Sequence, residues 1–245
     1  MIIKTKYSPN YSKKSRDLKD IKFIIIHYTG MRKEASAIER LCNVKFKVSA
    51  HYFIKKNGSV LNLVPPLYEA WHAGKSGWKN FKFLNRYSIG IEIQNSGHDN
   101  KYENFTQKQI ISTKKLLKCL INKFNVKSKN ILGHSDIAPN RKKDPGEKFP
   151  WKYLAKNKIG LWHSLSYDLL NKNRKIKLDY YDKKIFFKNL SKIGYSISLS
   201  KNSNKNNHLK LIVKAFQRRF RQELIDGKID RECLIISENL TNKFK

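Results

Sequence analysis

Acidic residues are scarce in this sequence. Asp and Glu number 19 against 52 Lys and Arg, so the formal net charge is +33. An excess of this size attracts anionic partners, and the candidates are nucleic acid, anionic lipid and polymers that carry carboxylates. Because lysine and asparagine are frequent everywhere, including in loops, a general compositional bias accounts for the charge as well as a cationic surface does. The charge alone therefore selects no partner.

Cysteines and long apolar runs are also few. The three cysteines, Cys42, Cys119 and Cys233, lie far apart in apolar helical contexts, which predicts buried free thiols and no disulfide framework. Residues 1–17 contain no apolar stretch of the kind that a secretory signal needs. No run approaches the length of a membrane span. We therefore expect a globular protein without a transmembrane segment.

The first two thirds of the chain carry the patterns of both strands and helices. β-Branched apolar runs predict core strands, and apolar residues at helical spacing predict amphipathic helices. Two strand-like runs around Asn57 and Gly58 predict a β-hairpin with the type I′ turn that this residue pair favours. The fold class expected from this mixture is α/β. The strands are expected at 21–29, 87–95 and 131–134, the hairpin at 49–64, and the helices at 32–46 and 105–125. Val44 is expected on the apolar face of the first of these helices.

The composition changes after Trp162. A polar stretch with no Gly or Pro predicts a connector, and three helical segments follow it. The arginine cluster of Arg218, Arg219 and Arg221 lies in the second of these segments, where a solvated helix face is the default expectation. The sequence predicts a catalytic domain with a polar leader at 1–165, a linker at 166–181 and a small three-helix C-terminal domain at 182–245.

Three polar residues lie within or directly after the apolar strands: His27, Glu92 and His134. An isolated buried charge costs several kcal/mol unless it is paired or bound to a metal, so three such positions in one domain point to a site. Asp144 follows His134 by ten residues across a loop that contains proline. Catalytic zinc sites use three protein ligands and keep a fourth position open. His27, His134 and Asp144 are therefore candidate ligands for one zinc ion.

Two further residues suit hydrolysis at such a centre. Glu92 is a candidate for taking a proton from a water molecule. Lys142 lies two residues before Asp144, so in an extended segment both side chains point the same way, and a lysine there stabilises a developing oxyanion. The sequence has no short regular zinc motif such as H-E-x-x-H, so the spacing by itself leaves these assignments open.

Five segments resemble a known family, the zinc-dependent N-acetylmuramoyl-L-alanine amidases of the amidase-2 type. They are "IIIHYTG", "SAHYFIKKNGSV", "EAWHAGKSGW", "NRYSIGIEIQN" and "GHSDIAPNRKKDPGEKFPW". The resemblance covers residues 8–163, in the order of the family. It implies a mixed sheet flanked by helices and hydrolysis of the amide between N-acetylmuramic acid, or its 1,6-anhydro form, and L-alanine of the stem peptide.

The resemblance also implies roles for individual residues. The family's zinc ligands fall on His27, His134 and Asp144, its catalytic glutamate on Glu92 and its active-site lysine on Lys142. His72 falls close to the substrate cleft, where contact with substrate and a structural hydrogen bond are both open. The weaker substrate-binding candidates are Trp71, which suits a groove wall or the core, Trp78, which suits a groove wall, and Arg86, which suits a stem-peptide carboxylate or a loop cap.

The segment 211–234 is similar to the helical peptidoglycan-binding module of some amidases in this family. The expected partners are peptidoglycan fragments or muropeptides, with no specific nucleic acid, and we expect a monomer. A protein that binds peptidoglycan without cutting it is one alternative, although the whole zinc set is present. A nucleic-acid binder is another, although no RRM, KH or zinc-finger pattern occurs. The lack of a signal segment favours the cytoplasm, whereas a wall-binding module favours the periplasm or cell envelope.

Overall fold

The computed structural model describes residues 2–197 and 205–243. Strands and helices alternate over the first two thirds of the chain, and helices alone follow. The strands are β1 (Ile3–Thr5), β2 (Tyr11–Ser12), β3 (Phe23–Tyr28), β4 (Tyr52–Ile54), β5 (Val60–Asn62), β6 (Glu69–Ala70), β7 (Gly77–Trp78), β8 (Phe81–Lys82), β9 (Ser88–Ile93) and β10 (Ile131–Gly133). The helices are α1 (Glu34–Cys42), α2 (Gln107–Phe124), α3 (His134–Ile137), α4 (Trp151–Lys156), α5 (Tyr167–Asn173), α6 (Tyr180–Ile193), α7 (Lys205–Phe220) and α8 (Arg231–Asn242).

A six-stranded sheet forms the centre of the fold, and this confirms the predicted fold class. Its strand order is β1-β5-β4-β9-β3-β10. Only the β4–β5 hairpin pairs antiparallel, while the other neighbours run parallel. Strands β9, β3 and β10 therefore end at the same edge of the sheet, where the chain can bring together polar residues from their C-terminal ends.

The central strands form where the sequence places its β-branched apolar residues. Ile24, Ile25 and Ile26 of β3 are fully buried, because this strand is covered on both faces. Helix α2 begins at a capping box, in which the Thr106 hydroxyl accepts from the Gln109 amide and the Gln109 side chain accepts from the Thr106 amide. Such a cap stabilises a helix by about 1 kcal/mol. The predictions for β3, β9, β10 and α2 are confirmed.

The two faces of the sheet have different partners. Ile24 and Ile26 of β3 belong to an apolar cluster with Leu117 and other residues of α2. Phe23 and Ile25, which alternate with them, belong to a second cluster that includes residues of α6, α7 and α8. His27 follows the same alternation as Phe23 and Ile25. The polar residues of the strand ends thus lie on the face that the last helices also cover.

Several local expectations were wrong. The polar leader contributes two strands, since β1 pairs with β5 and β2 pairs with β6. Only Gly58 of the hairpin pair has positive φ (83°) and its amide donates to the Lys55 carbonyl, so the turn is not the two-residue type I′ form, which needs positive φ at both positions. Val44, expected to be on the apolar face of α1, is exposed after the end of that helix.

The cysteines and the connector also differ from expectation. Cys233 is buried, but Cys42 is half-buried and Cys119 is exposed on α2. No disulfide links these three residues, as predicted. The predicted linker contains α5, which begins after Ser166, whose hydroxyl accepts from the Leu169 amide.

The C-terminal helices α6, α7 and α8 coincide with the three helical segments of the sequence. The predicted domain limits 1–165, 166–181 and 182–245 stay predictions, and residues 198–204, 244 and 245 of the last range lie outside the described residues. The arginine cluster is not a solvated face. Arg218, Arg219 and Arg221 are 9%, 2% and 3% exposed. Arg219 and Arg221 pair with the buried Asp136 and Asp230, and Arg218 lies beside the partly buried Glu147.

Among the described residues, every helix is too short or too polar to span a bilayer.

Candidate metal centre and active-site cleft

Three buried side chains converge where the central strands end. His27 lies near the end of β3, His134 directly follows β10, and Asp144 lies in the loop after α3. The Nδ1 atoms of His27 and His134 are 2.9 Å apart, and each is 3.0 Å from Oδ2 of Asp144. Within the described residues this is the one group of three His, Cys, Asp or Glu side chains that could share an ion.

The separation of these atoms fits a tetrahedral metal ion. Bonds of 2.0–2.2 Å to nitrogen and oxygen place the ligand atoms of such an ion about 3.4 Å apart. The observed triangle is slightly tighter, so a small outward shift of the side chains accommodates the ion. Two imidazoles and one carboxylate are a donor set of catalytic zinc sites.

The outer ring nitrogen of His134 has two neighbours. Its Nε2 is 3.2 Å from the carbonyl oxygen of Ala73, which can only accept, and 3.3 Å from NH2 of Arg141. With its proton on Nε2, the neutral ring donates to the Ala73 carbonyl and the Nδ1 lone pair faces the centre. A backbone carbonyl that holds a histidine in this way is the usual outer partner of a metal ligand.

A chain of hydrogen bonds also places the proton of the His27 ring on Nε2, away from the centre. The Ser88 hydroxyl donates to the Leu84 carbonyl, at 2.6 Å. Its oxygen is then the acceptor for Nε2 of His72, at 3.2 Å. Nδ1 of His72 must accept, and the donor is Nε2 of His27, at 3.0 Å. Nδ1 of His27 is thus a free lone pair, and three lone pairs facing one another need a cation between them.

The ionisation of the three residues suits a metal. Burial lowers the pKa of His27 to about 4, and the neighbouring His134 contributes to the shift. Burial alone would raise the pKa of Asp144, but the two imidazoles in contact with its carboxylate, His134 foremost, outweigh burial and hold this pKa well below its usual range. Neutral imidazole and ionised carboxylate are the forms that bind metal ions.

Glu92 lies beside this centre on the neighbouring strand. It pairs in register with His27 across β9 and β3, so both side chains point to the same face of the sheet. Burial raises the pKa of Glu92 well above its usual value, and the Asp144 carboxylate raises it further, whereas Lys142 opposes the shift. Its Oε2 atom is buried and has no hydrogen-bond partner among the residues that the structure describes.

A cleft of about 360 Å³ opens over the centre. The metal-binding triad, Glu92, Lys142 and His72 line it together. The other lining residues come largely from α1 and the segments around it, and they include the apolar side chains of Leu41 and Phe46. The polar centre and an apolar surface thus meet in one cavity, as expected for a ligand site.

The structure brings six of the nine predicted site residues together. Lys142 is half-buried and lines the cleft. His72 also lines it, but only 6% of its surface is exposed and both ring nitrogens are occupied by His27 and Ser88. Of the two roles left open for His72, the structural hydrogen bond is the one that the geometry supports.

The three weaker candidates lie outside the lining of the cleft, which corrects the expectation. Trp78 is 3% exposed and packs edge-on against Tyr195 near the end of α6. Trp71 is half-buried and its Nε1 donates to the Ser12 hydroxyl of β2. The side chain of Arg86 is 61% exposed and lies 3.9 Å from Asp20. Each is turned away by a partner that is distant along the chain.

Sequence reasoning missed two supporting residues. A Cβ atom at Gly90 would come within 2.4 Å of the His72 ring, so a side chain at this position would displace the histidine. The alternation of Ser88, Gly90 and Glu92 on one strand face was the signal that could have revealed it. Arg141 donates to the carbonyls of Ala73 and Lys75, and no local pattern indicated that contact.

Comparison with known proteins gives a consistent result. The family model described as N-acetylmuramoyl-L-alanine amidase matches residues 17–147, a range that contains the triad, Glu92 and Lys142. AmiD of Escherichia coli K12 is 32% identical over 240 residues, which cover 91% of this chain and 83% of AmiD. AmpD of Haemophilus influenzae is 30% identical over 167 residues, which cover 60% of this chain and 88% of AmpD.

Two solved structures resemble the whole chain. E. coli AmiD in complex with the substrate anhydro-N-acetylmuramic acid-L-Ala-D-γ-Glu-L-Lys aligns with a TM-score of 0.78 and 32% identity, covering 95% of this chain and 92% of AmiD. AmpDH3 of Pseudomonas aeruginosa aligns with a TM-score of 0.78 and 30% identity, covering 95% of this chain and 94% of AmpDH3. The likeness therefore includes the C-terminal helices as well as the sheet.

Proposed function

The chain belongs to the N-acetylmuramoyl-L-alanine amidase family, and from this premise we propose a specific reaction. The protein hydrolyses the amide bond between the lactyl group of N-acetylmuramic acid, or of its 1,6-anhydro form, and L-alanine of the stem peptide. The centre formed by His27, His134 and Asp144 holds one zinc ion for this reaction. The biological setting is the turnover or recycling of peptidoglycan fragments.

The observation that carries this proposal is the closed triangle of donor atoms beside an unpartnered carboxylate oxygen. Two imidazole Nδ1 atoms and one carboxylate oxygen lie within 3.0 Å of one another, and both outer ring nitrogens have acceptors. Glu92 stands next to them in the cleft with a free Oε2 atom. Hydrolysis at a metal needs both parts, a ligand set with an open position and a nearby base.

Each residue has a defined task in this scheme. A zinc ion held by His27, His134 and Asp144 would supply Lewis-acid polarisation of the scissile carbonyl and would activate water for attack. Oε2 of Glu92 takes a proton from the attacking water and returns it to the amino group of the leaving L-alanine. The ammonium group of Lys142 stabilises the negative charge that develops on the carbonyl oxygen. His72 and Ala73 orient the two histidines.

The charge of the cleft supports a muropeptide as substrate. Basic side chains of Arg40, Arg141, Lys142 and Lys143 line it. A stem peptide carries free carboxylates, which basic side chains bind through charge-assisted hydrogen bonds. AmiD and AmpDH3 have each been solved with an anhydromuramic peptide, and the likeness of this chain to both supports the same class of ligand here.

The test is a direct analysis of products. The full chain is incubated with a purified anhydromuropeptide, with zinc, with a chelator, and with zinc added back after chelation. Mass spectrometry should find the free sugar acid and a peptide that begins with L-alanine in the two zinc-containing reactions alone. Cleavage at a different bond, or an intact muropeptide with zinc present, would overturn the proposal. Intact sacculi run in parallel measure whether wall polymer or soluble fragments are the better substrate.

A further inference from the structure

Helix α7 contacts the loop that carries two of the three triad residues. This metal-ligand loop, residues 133–147, contains His134 and Asp144. Three side chains of α7 and its C-terminal end, Arg218, Arg219 and Gln222, reach the loop or the residues that follow it directly. The C-terminal helices therefore contact the metal-ligand loop directly, in addition to packing in the apolar core.

Arg219 makes the central contact through Asp136. Its NH1 group donates to Oδ2 of Asp136 at 2.5 Å, and its NH2 group donates to the Ile131 carbonyl at 2.9 Å. The same carboxylate accepts from the Tyr195 hydroxyl at 2.6 Å and from the Gly133 amide at 2.8 Å. The carboxylate of Asp136 is therefore held from three directions, and two of its partners come from the C-terminal part of the chain.

The hydrogen bonds that hold Asp136 also restrict the positions of His134 and Asp144. It lies two residues after His134, within the same short helix α3. The residue between them, Ser135, donates its amide to the Asp144 carbonyl at 2.8 Å. A shift of Asp136 would thus move the His134 backbone and the Asp144 backbone together.

The far end of the loop meets the same helix. Nε of Arg218 lies 3.8 Å from Oε2 of Glu147, three residues after Asp144. The Gln222 side-chain amide donates to the Phe149 carbonyl at 2.8 Å. Arg218 and Arg219 lie in the last turn of α7 and Gln222 lies just beyond it, so this end of the helix contacts residues near the start of the loop and at or just past its end.

We propose that Arg219 is a positioning residue for the metal centre, acting through Asp136 on His134 and Asp144. A buried ion pair is often replaceable by apolar side chains without loss of stability, so its value here is the geometry that it imposes on the loop. The inference rests on the proposed function, because it needs the triad to bind zinc. It assigns the C-terminal helices a part in metal binding in addition to any contact with peptidoglycan.

Arg221 provides a matched control in the same full-length protein. It is as deeply buried as Arg219, but its guanidinium bonds to Asp230 and Asp226 among the last helices. Arg219→Lys and Arg221→Lys each remove a forked, buried pair and keep the charge. The double variant Asp136→Asn/Arg219→Met removes the loop pair without leaving a buried charge, and it serves if Arg219→Lys does not fold.

The measurements are the zinc dissociation constant by chelator competition, the visible spectrum of the Co²⁺-substituted protein, urea unfolding, and kcat and KM on the muropeptide. We expect both lysine variants to lose stability. Only Arg219→Lys and the double variant should bind zinc about ten- to 100-fold more weakly, change the Co²⁺ spectrum and lose kcat more than KM.

Two results separate the possible failures. If the Arg219 variants fold and match Arg221→Lys in zinc affinity and Co²⁺ spectrum, the positioning role is overturned and the proposed function stands. If the unaltered protein neither binds zinc nor cleaves the muropeptide, the proposed function itself fails.

Discussion

The Glu92 carboxylate lies in surroundings unlike those of an ordinary surface glutamate. One of its oxygens is buried without a partner in the described part of the chain, and burial together with Asp144 raises its pKa. A raised pKa makes the carboxylate a stronger base, and it lets the protonated form persist long enough to act as an acid. Stability alone does not call for such a residue on a central strand.

Replacing Glu92 by glutamine tests this role. Glu92→Gln keeps the size and polarity of the side chain but cannot take a proton. We expect kcat to fall by about 10²- to 10⁴-fold, while the zinc content of the protein is retained. The exposed Glu39 provides the control, since Glu39→Gln should leave both quantities unchanged. Full turnover by Glu92→Gln would remove Glu92 from the reaction.

The neighbouring lysines Lys142 and Lys143 allow a second paired test. Both line the cleft, but Lys142 is half-buried whereas Lys143 is exposed and lies 3.9 Å from Asp99. Lys142→Met should lower kcat by about 10²- to 10³-fold, the usual cost of losing one oxyanion donor, with zinc affinity preserved. Lys143→Met should have little effect on kcat. Equal losses in the two variants would point to the general charge of the cleft instead of one specific donor.

At the scale of an element, strand β9 supports the metal centre with side chains and space on one of its faces. Ser88, Gly90 and Glu92 follow one another on the same face. Ser88 accepts the last proton of the hydrogen-bond chain from His27 through His72, Gly90 leaves room for the His72 ring, and Glu92 faces the cleft. One strand thereby contributes the orientation of a metal ligand and the base.

A double-mutant cycle tests whether Gly90 acts through His72. Gly90→Ala places a methyl group against the His72 ring, so the hydrogen bond to His27 should break and zinc affinity should fall about tenfold or more. His72→Ala should have a similar effect. If the mechanism is correct, the double variant loses little beyond His72→Ala, because the two changes remove one interaction. Additive losses in zinc affinity would show that Gly90 acts independently of the histidine.

The sequence was most informative about elements whose burial is local. β3 and α2 were predictable because an apolar run and a capping box each lie within one segment. β1 was missed because its three residues are all exposed, and only pairing with the distant β5 defines the strand. The linker helix α5 has no buried residue, so it left no apolar periodicity to read.

The site was predictable in its chemistry and less so in its surroundings. His27, Glu92 and His134 were found because they interrupt apolar strands, and Lys142 and Asp144 because of their spacing and the family resemblance. Trp78 was misplaced because its burial depends on Gly194 and Tyr195, over a hundred residues away. Arg219 was misread as solvated because its partner Asp136 lies in another element.

For the molecule as a whole, four of the scarce acidic residues lie in the interior. Asp136, Asp144, Asp230 and Glu232 are each at most 5% exposed, and they hold histidines or arginines of the triad and the C-terminal helices. Their burial removes negative charge from a surface that is already strongly basic. The surface field therefore attracts anionic polymers and fragments in a way that weakens with added salt.

The buried histidines predict a stability that falls on acidification of the metal-free protein. Burial lowers the pKa of His51 to about 3 and that of His27 and His163 to about 4, and it places the pKa of His72 well below 6.5. Below pH 6.5 the unfolded chain gains protons that the folded protein does not, so the free energy of unfolding decreases as the pH falls. Glu92, with its raised pKa, acts in the opposite direction and offsets part of this.

Urea unfolding of the metal-free protein at pH 7 and pH 5 measures the effect. One histidine with a pKa as low as that of His51 removes roughly 2 kcal/mol over this interval. His163 lies outside the cleft. His163→Gln should reduce the difference in unfolding free energy between pH 7 and pH 5 by the contribution of one histidine. An unfolding free energy that is equal at pH 5 and pH 7 would contradict the assignment of these side chains as buried and neutral.

The central claim is that one zinc ion at His27, His134 and Asp144 makes this protein an amidase. Titrating the metal-free protein with zinc, while following release of the L-alanine-led peptide from an anhydromuropeptide, tests it most directly. We expect activity to rise linearly and to stop at one zinc per chain, and Asp144→Ala to show neither tight zinc binding nor peptide release. Peptide release that does not depend on zinc, or that continues to rise well beyond one equivalent, would rule out a single catalytic zinc ion at this site.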